Sequence, residues 1–323
     1  MKRALIIGIS GQDGAYLARL LLEKGYEVHG SSREQETGTF ANLRRVGIRD
    51  RVTLHSAHPA DFSSVMGLLL GLPVDEIYNL AGQSSVAASF RHPLETFDSI
   101  TVATMNLLEC LRRLGRPVRF YNAGSSEVFG NTPSPADEST PFNPRSPYGI
   151  AKVAAHHAVA NYREAYGLAA ATGILFNHES PLRPAHFVTQ KIVSTAVRIA
   201  GGSRERLRLG DVDVIRDWGW APEYVEAMWR ILQHDPPVDV VVATGVSHSL
   251  REFVARVFAA VGLDARDHVD VDPGLVRPAD IQVSAANPAK ALAVLGWRAR
   301  YDLDKTVGEL VAAARPPADR GGG

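Results

Sequence analysis

The sequence predicts an α/β protein, a doubly wound parallel sheet with a smaller C-terminal lobe. Three observations predict it. Short apolar runs alternate with stretches of helical length through the first half, and a glycine-rich turn follows the first run. After about residue 176 the alternation gives way to polar and proline-rich segments. Strands that alternate with helices require crossovers, and crossovers make a parallel sheet.

Residues 4–7 read as a buried strand and 15–24 as a helix ending at Gly25. Further strands fall at 27–30, 52–55 and 76–80, with helices at 63–70 and 94–114. A fifth strand at 118–123, a long helix Pro147–Tyr166 and a sixth strand at 169–175 follow. Residues 1–176 are therefore expected to form the first domain, with 215–235 packed back on it through a helix at 218–232. Residues 177–214 and 236–315 are expected to form the lobe. The end, 316–323, has no apolar residue apart from Ala318 and reads as a disordered tail. A chain of 323 residues is long enough for two such units.

Lys plus Arg equals Asp plus Glu at 35 each, so no basic surplus supports a general grip on nucleic acid. The single cysteine, Cys110, permits no intrachain disulfide, and no zinc-type spacing occurs, so no metal is expected. The apolar run before Gly8 is too short for a signal peptide and no stretch approaches a membrane span. A cytoplasmic protein without a membrane partner is expected.

Gly8, Gly11 and Gly14 enclose Ser10, Gln12 and Asp13 between the first strand and the first helix. Such a turn lets the backbone approach a pyrophosphate, while the helix N-terminus supplies N–H groups and positive potential. The spacing is GxxGxxG, and no Gly-Lys-Ser/Thr follows, which argues for a dinucleotide and against an NTPase loop. At the second strand's end an acid usually grips the ribose of NAD. Here Ser31, Ser32 and Arg33 stand in its place, with Glu34 and Glu36 behind. Guanidinium–phosphate pairing at Arg33 favours NADP, with NAD as the alternative.

Tyr148 and Lys152 are four residues apart on the long helix, which places them on one face. An ammonium beside a phenol is expected to lower its pKa and make it a usable base. Ser125, at the end of the fifth strand, can hydrogen-bond a substrate alcohol.

Together the glycine loop, the strand end at Asn79, the serine run and the Tyr148/Lys152 pair resemble the extended short-chain dehydrogenase/reductase superfamily, which implies a Rossmann-like fold. Within it the match narrows to the GDP-mannose 4,6-dehydratase family. It rests on GQDGAY (11–16), YNLAGQS (78–84), SSEVFG (125–130), NHESP (177–181), FVTQK (187–191), RDWG (216–219), YVEAMW (224–229) and RPAD (277–280). The resemblance runs from residue 3 to about residue 310. It implies a hydro-lyase that oxidises C4 of a GDP-mannose-type sugar, eliminates water across C5–C6 and returns hydride to C6. That reaction requires an acid–base group beside the serine, and the resemblance assigns it to Glu127. Leu80, Ala81, Tyr148, Lys152 and His178 would join the glycine loop around the cofactor. Asn177, Lys191, Arg216 and Arg277 would face the substrate pyrophosphate, with Glu179 and Asp280 nearby. Ser84 and Ser85 could contact the hexose.

Three positions depart from the family. His58-Pro59 replaces an Asp-Leu pair that reaches the adenine. Arg33-Glu34 and Leu182-Arg183 each replace an Arg-Arg pair associated with cofactor binding across a tetramer interface. A homodimer through the helices at 94–114 and 147–166 is expected, with a tetramer as the alternative. The alternatives for function are a GDP-manno-heptose 4,6-dehydratase, a 4-keto-sugar reductase or epimerase, and a non-catalytic dinucleotide-binding module.

Overall fold

The computed structural model describes residues 1–33, 35, 38–276 and 279–315. The tail at 316–323, Arg277, Glu34 and Glu36 lie outside the described residues. The strands are β1 (Arg3–Ile7), β2 (Glu27–Ser32), β3 (Thr53–Ser56), β4 (Glu76–Asn79), β5 (Arg119–Ala123), β6 (Ala170–Leu175), β7 (Asn177–Glu179), β8 (Leu207–Leu209), β9 (Ile215–Trp220), β10 (Val240–Val242), β11 (Ser247–Ser249), β12 (Val269–Val271) and β13 (Val283–Ser284). The helices are α1 (Gln12–Glu23), α2 (Ala41–Arg45), α3 (Phe62–Gly71), α4 (Val86–Arg91), α5 (Pro93–Phe97), α6 (Ala103–Leu114), α7 (Pro147–Tyr166), α8 (Val188–Ala200), α9 (Ala221–Gln233), α10 (Leu250–Ala260), α11 (Ala289–Leu295) and α12 (Leu303–Ala314).

The main sheet has seven strands in the order β3-β2-β1-β4-β5-β6-β10, every neighbouring pair parallel. The strand order reverses between β1 and β4, and the crevice outside their carboxyl ends is where such sheets bind ligands. Central strands are buried on both faces, which is why β1 reads as a nearly continuous apolar run, while the polar ends of β4, Glu76 and Asn79, are buried through side-chain hydrogen bonds. One face packs Leu17 and Leu21 of α1 and Val225, Met228 and Ile231 of α9; the other packs α3, α6 and α7 through Leu69, Leu107, Leu111 and Val159.

Helix α7 begins and ends where its local chemistry dictates. Ser146 caps it by accepting from the Gly149 N–H at 3.1 Å, Pro147 occupies the first turn, and Gly167 closes it at φ 68°. The helix read at 94–114 is instead α5 and α6 joined through a π-helical turn at Asp98–Val102.

Two readings of the second half are corrected. The helix expected from residue 218 starts at Ala221, because Trp218 and Trp220 are buried in β9, paired with Asn177 and Glu179 of β7. Residues 240–242, grouped above with the lobe, form the seventh strand of the main sheet beside β6. A second sheet combines β11, β9 and β13 with β7, and β8 pairs with β12. Its core joins Ile192 and Ala196 of α8, Phe253 and Val257 of α10 and Val307 of α12 to Trp218 and Trp220. The chain thus passes from the main sheet to the second within two residues, from β6 through Phe176 to β7.

Candidate active site

The turn after β1 is closed to side chains. Gly8 has φ +88°, and a Cβ there would lie 2.9 Å from the Ala81 nitrogen; a Cβ on Gly14 would lie 2.5 Å from the Gly8 carbonyl oxygen. What remains is a cradle of bare backbone at the N-terminus of α1. Gly11 opens the helix and donates to the Gly8 carbonyl at 3.1 Å, while the Ser10 carbonyl accepts from Asn42 Nδ2 at 3.0 Å. Leu80 runs alongside, its N–H donating to the Ile7 carbonyl at 3.0 Å. At the end of β2, the buried Ser31 hydroxyl has no hydrogen-bond partner, and Arg33 is exposed just beyond it. A side-chain-free cradle with an orphaned hydroxyl beside it fits the pyrophosphate and ribose of a dinucleotide.

Across the reversal point, β5 and α7 bring the catalytic candidates together. Ser125, Glu127, Tyr148 and Lys152 line one cleft of about 510 Å³, with Leu80, Ala81, Asp13 and His178 on its cofactor side. The strand end is fixed by a polar ladder in which Asn79 Nδ2 donates to Asn122 Oδ1 and Thr104 Oγ1, each at 3.1 Å. Ser125 Oγ accepts from the Glu127 N–H at 3.3 Å, so serine and carboxylate sit on one short 3-10 turn, Ser126–Val128. That turn presses on the catalytic helix, since a Cβ on Gly149 would lie 2.8 Å from the Glu127 carbonyl oxygen.

Electrostatics here run against one expectation. Tyr148 is not lowered: its burial pushes the phenol up to about 12, the Glu127 charge adds to the rise, and the Ser125 hydrogen bond opposes it. The Lys152 ammonium donates to the Ala123 carbonyl at 2.7 Å and lies 5.7 Å from the Tyr148 ring centre. Burial brings that ammonium down to about 8, against the pull of Asp13. For each group desolvation is the largest cause of the shift.

The side expected to face the substrate is assembled from separate segments. Asn177, Glu179, Lys191, Arg216 and Asp280 line the same cleft, as do Ser84 and Ser85. Arg216 Nη2 meets Asp280 Oδ1 at 3.4 Å in a nearly buried pair. Lys191 is exposed and donates to the Arg208 carbonyl at 2.6 Å. Glu179 is buried, accepts from Thr189 Oγ1 at 2.7 Å and lies 3.6 Å from Arg183 Nε. Ser85 caps α4 by accepting from the Ala88 N–H, whereas Ser84 is exposed.

Three residues that the motifs did not single out stand in or behind the cleft. Arg183, treated only as a departure, lines the cleft and lies over the Phe187 ring at 3.9 Å. Its neighbour Leu182 is buried against the α1 face. Ser180 donates to Gln12 Oε1 at 2.8 Å, and Asp217 accepts from the Thr244 and Gly245 N–H groups at 3.0 and 2.8 Å. Burial holds Asp217 up at about 6 despite those donors. At the departure after β3, the His58 N–H donates to Ser64 Oγ and the Pro59 carbonyl accepts from Asn106 Nδ2, each at 3.0 Å. Among the described residues no group of His, Cys, Asp or Glu is arranged to hold a metal, and no helix is long and apolar enough to cross a membrane.

A parallel α/β sheet with this glycine cradle and a serine, tyrosine and lysine at the reversal point defines an extended short-chain dehydrogenase/reductase. The family model for GDP-mannose 4,6 dehydratase matches residues 5–310. GDP-mannose 4,6 dehydratase 1 of Arabidopsis thaliana is 45% identical over 320 residues, covering 96% of this chain and 89% of that protein. The chain belongs to the GDP-mannose 4,6-dehydratase family. Among solved structures, UDP-glucose 4-epimerase of Thermus thermophilus, in complex with NAD, superposes with a TM-score of 0.86 at 25% identity, covering 98% of this chain and 100% of that one. RMD from Pseudomonas aeruginosa, complexed with NADPH, has the same fold at a TM-score of 0.80 and 22% identity, covering 97% and 99%.

Proposed function

We propose that the chain is a nicotinamide-dependent 4,6-dehydratase that converts GDP-mannose to its 4-keto-6-deoxy derivative. The single observation that carries this reading is Glu127 on the turn that also presents Ser125, in the cleft of Tyr148 and Lys152. A reductase or 4-epimerase needs no such carboxylate, and a non-catalytic module needs none of the four.

Gly8, Ser10, Gly11, Gln12, Asp13 and Gly14, with Leu80, Ala81 and His178, would hold the cofactor, which when bound supplies a two-electron acceptor for the hydrogen on C4 and gives it back at C6. Tyr148 takes the C4 hydroxyl proton as the ketone forms; it must do so as the phenolate, which the buried pocket disfavours and the charge of Lys152 and the Ser125 hydrogen bond support. The ketone acidifies the C5 proton, and Glu127 removes it. Glu127 then delivers that proton to the departing C6 hydroxyl, which leaves as water. Tyr148 returns its own proton to C5 as C6 is reduced, so the enzyme ends as it began. Asn177, Lys191, Arg216 and Arg277 would hold the pyrophosphate; Arg216 suits this by its planar fork.

The cofactor is proposed to be NADP, supported by Arg33 beside the partnerless Ser31 hydroxyl. A homodimer is proposed through α5, α6 and α7, where Leu94, Met105 and Ile150 are exposed at 79%, 38% and 47%. The test is mass spectrometry of GDP-mannose incubated with the protein. Loss of one water is expected without net consumption of a nicotinamide. Glu127→Gln should lower the rate by about 10²–10⁴-fold; full product from this variant would defeat the reading.

A further inference from the structure

Asp13 sits in the first turn of α1, where a carboxylate would repel any anion approaching the helix N-terminus. Its charge is turned elsewhere. Asp13 Oδ2 meets His178 Nε2 at 2.9 Å, and Asp13 Oδ1 accepts from Gln12 Nε2 at 3.1 Å. The other histidine nitrogen, Nδ1, lies 2.7 Å from the Phe176 carbonyl oxygen. Both ring nitrogens therefore face acceptors, and only the doubly protonated imidazolium donates to both. Burial opposes that charge, but the attraction of Asp13 outweighs it and His178 stands above its ordinary pKa. The ring is also clamped from its face, stacked on Tyr224 at 4.6 Å and 27°.

His178 is the middle residue of β7, between Asn177 and Glu179, and β7 pairs with β9, which carries Arg216 and Trp218. A second tie runs parallel to the ion pair. Gln12 Nε2 donates to the His178 carbonyl at 3.3 Å and Gln12 Oε1 accepts from Ser180 Oγ at 2.8 Å, all buried. The N-terminus of the cofactor helix and the strand that floors the substrate side are thus joined directly, side chain to side chain.

We propose that Asp13, His178, Gln12 and Ser180 form a latch that couples cofactor binding to substrate-nucleotide binding. These are positioning residues: a ligand settling on the α1 N-terminus fixes Asp13, Asp13 fixes His178, and His178 sets Asn177 and Glu179 on either side of it. The inference rests on the substrate-cleft reading above. Because coupling is reciprocal, GDP must tighten NADPH binding by the same factor as NADPH tightens GDP.

The experiment titrates NADPH into the full-length protein with and without saturating GDP, by nucleotide fluorescence, and titrates GDP by calorimetry. In the wild type GDP is expected to tighten NADPH by about 5- to 150-fold, the usual range of such couplings. Asp13→Asn and His178→Gln should each bring that ratio close to one, and the double variant should lose no more than either single one. Ser180→Ala leaves the ion pair intact and should give an intermediate ratio; it carries the test if the charge variants do not fold. A wild type that binds both ligands with a ratio near one overturns the latch alone, as do variants that weaken NADPH equally with and without GDP. A wild type that binds no GDP overturns both the latch and the substrate reading.

Discussion

On the proposed cofactor side of the cleft the backbone makes the surface, between Gly8 and Gly14; on the proposed substrate side, side chains from four distant segments make it. The cofactor side uses consecutive residues whose spacing is set by one turn and one helix start. Its tolerances are steric, since a single Cβ at Gly14 would press on the backbone at 2.5 Å. The substrate side uses Asn177, Lys191, Arg216 and Asp280, brought together only when β7 and β9 pair and α8 packs behind them. Its tolerances are electrostatic, because Arg216 and Asp280 already satisfy one another in part at 3.4 Å. The difference teaches where each half can be broken: the first by volume, the second by charge.

Four measurements sharpen that contrast, taken from the largest effect to the smallest. Tyr148→Phe removes the proton acceptor shared by both halves and should lower turnover by on the order of 10³-fold with cofactor and GDP affinities unchanged. A variant retaining a tenth of the activity would show that the phenol is not the base. Gly14→Ala places a methyl against backbone that cannot yield, at about 1–3 kcal/mol, so cofactor retention should fall by about 10- to 100-fold. Nucleotide released from the denatured purified protein and quantified by chromatography reads this, and unaltered retention would mean the cradle is not the pyrophosphate site.

The third varies pH. Lys152 stands near 8 because it is buried, below its ordinary 10.5. As pH rises through 8 the ammonium is lost, and kcat/KM should fall about tenfold per pH unit. Stability should move the other way. Between 8 and 10.5 the unfolded chain holds a proton that the folded chain has released, so this group's contribution increases with pH and is lost as pH falls through 8. An activity loss that tracks a falling Tm would instead point to unfolding. Last, Arg216→Lys keeps the charge but loses the planar fork, and should raise KM for GDP-mannose by about tenfold while kcat and cofactor retention hold. A change in retention there would mean the two halves are not separable at Arg216.

Legibility followed the range of the interactions. Helix α7 was read to the residue because Ser146, Pro147 and Gly167 cap it locally. The glycine turn was legible for the same reason. The start of α9 was not, because the run through Trp218 and Trp220 is apolar enough for a helix, and only pairing with β7 holds it as a strand. The π-turn at Asp98–Val102 has no marker in the composition of that stretch; there Thr101 Oγ1 donates to the Ala151 carbonyl at 3.0 Å. The Tyr148 pKa was misjudged because spacing reports a neighbour's charge but not burial.

By itself, then, the sequence determined the strand order through residue 175, the glycine cradle and the family, since propensity, capping and motif spacing act over a few residues. It also placed Ser125, Glu127, Tyr148 and Lys152 at adjoining element ends. Only the tertiary structure decided that β10 joins the main sheet, that Arg183 turns into the cleft, and that Asp13 is tied to His178 across 165 positions. Those contacts come from long-range pairing and desolvation, and neither has a local period to read.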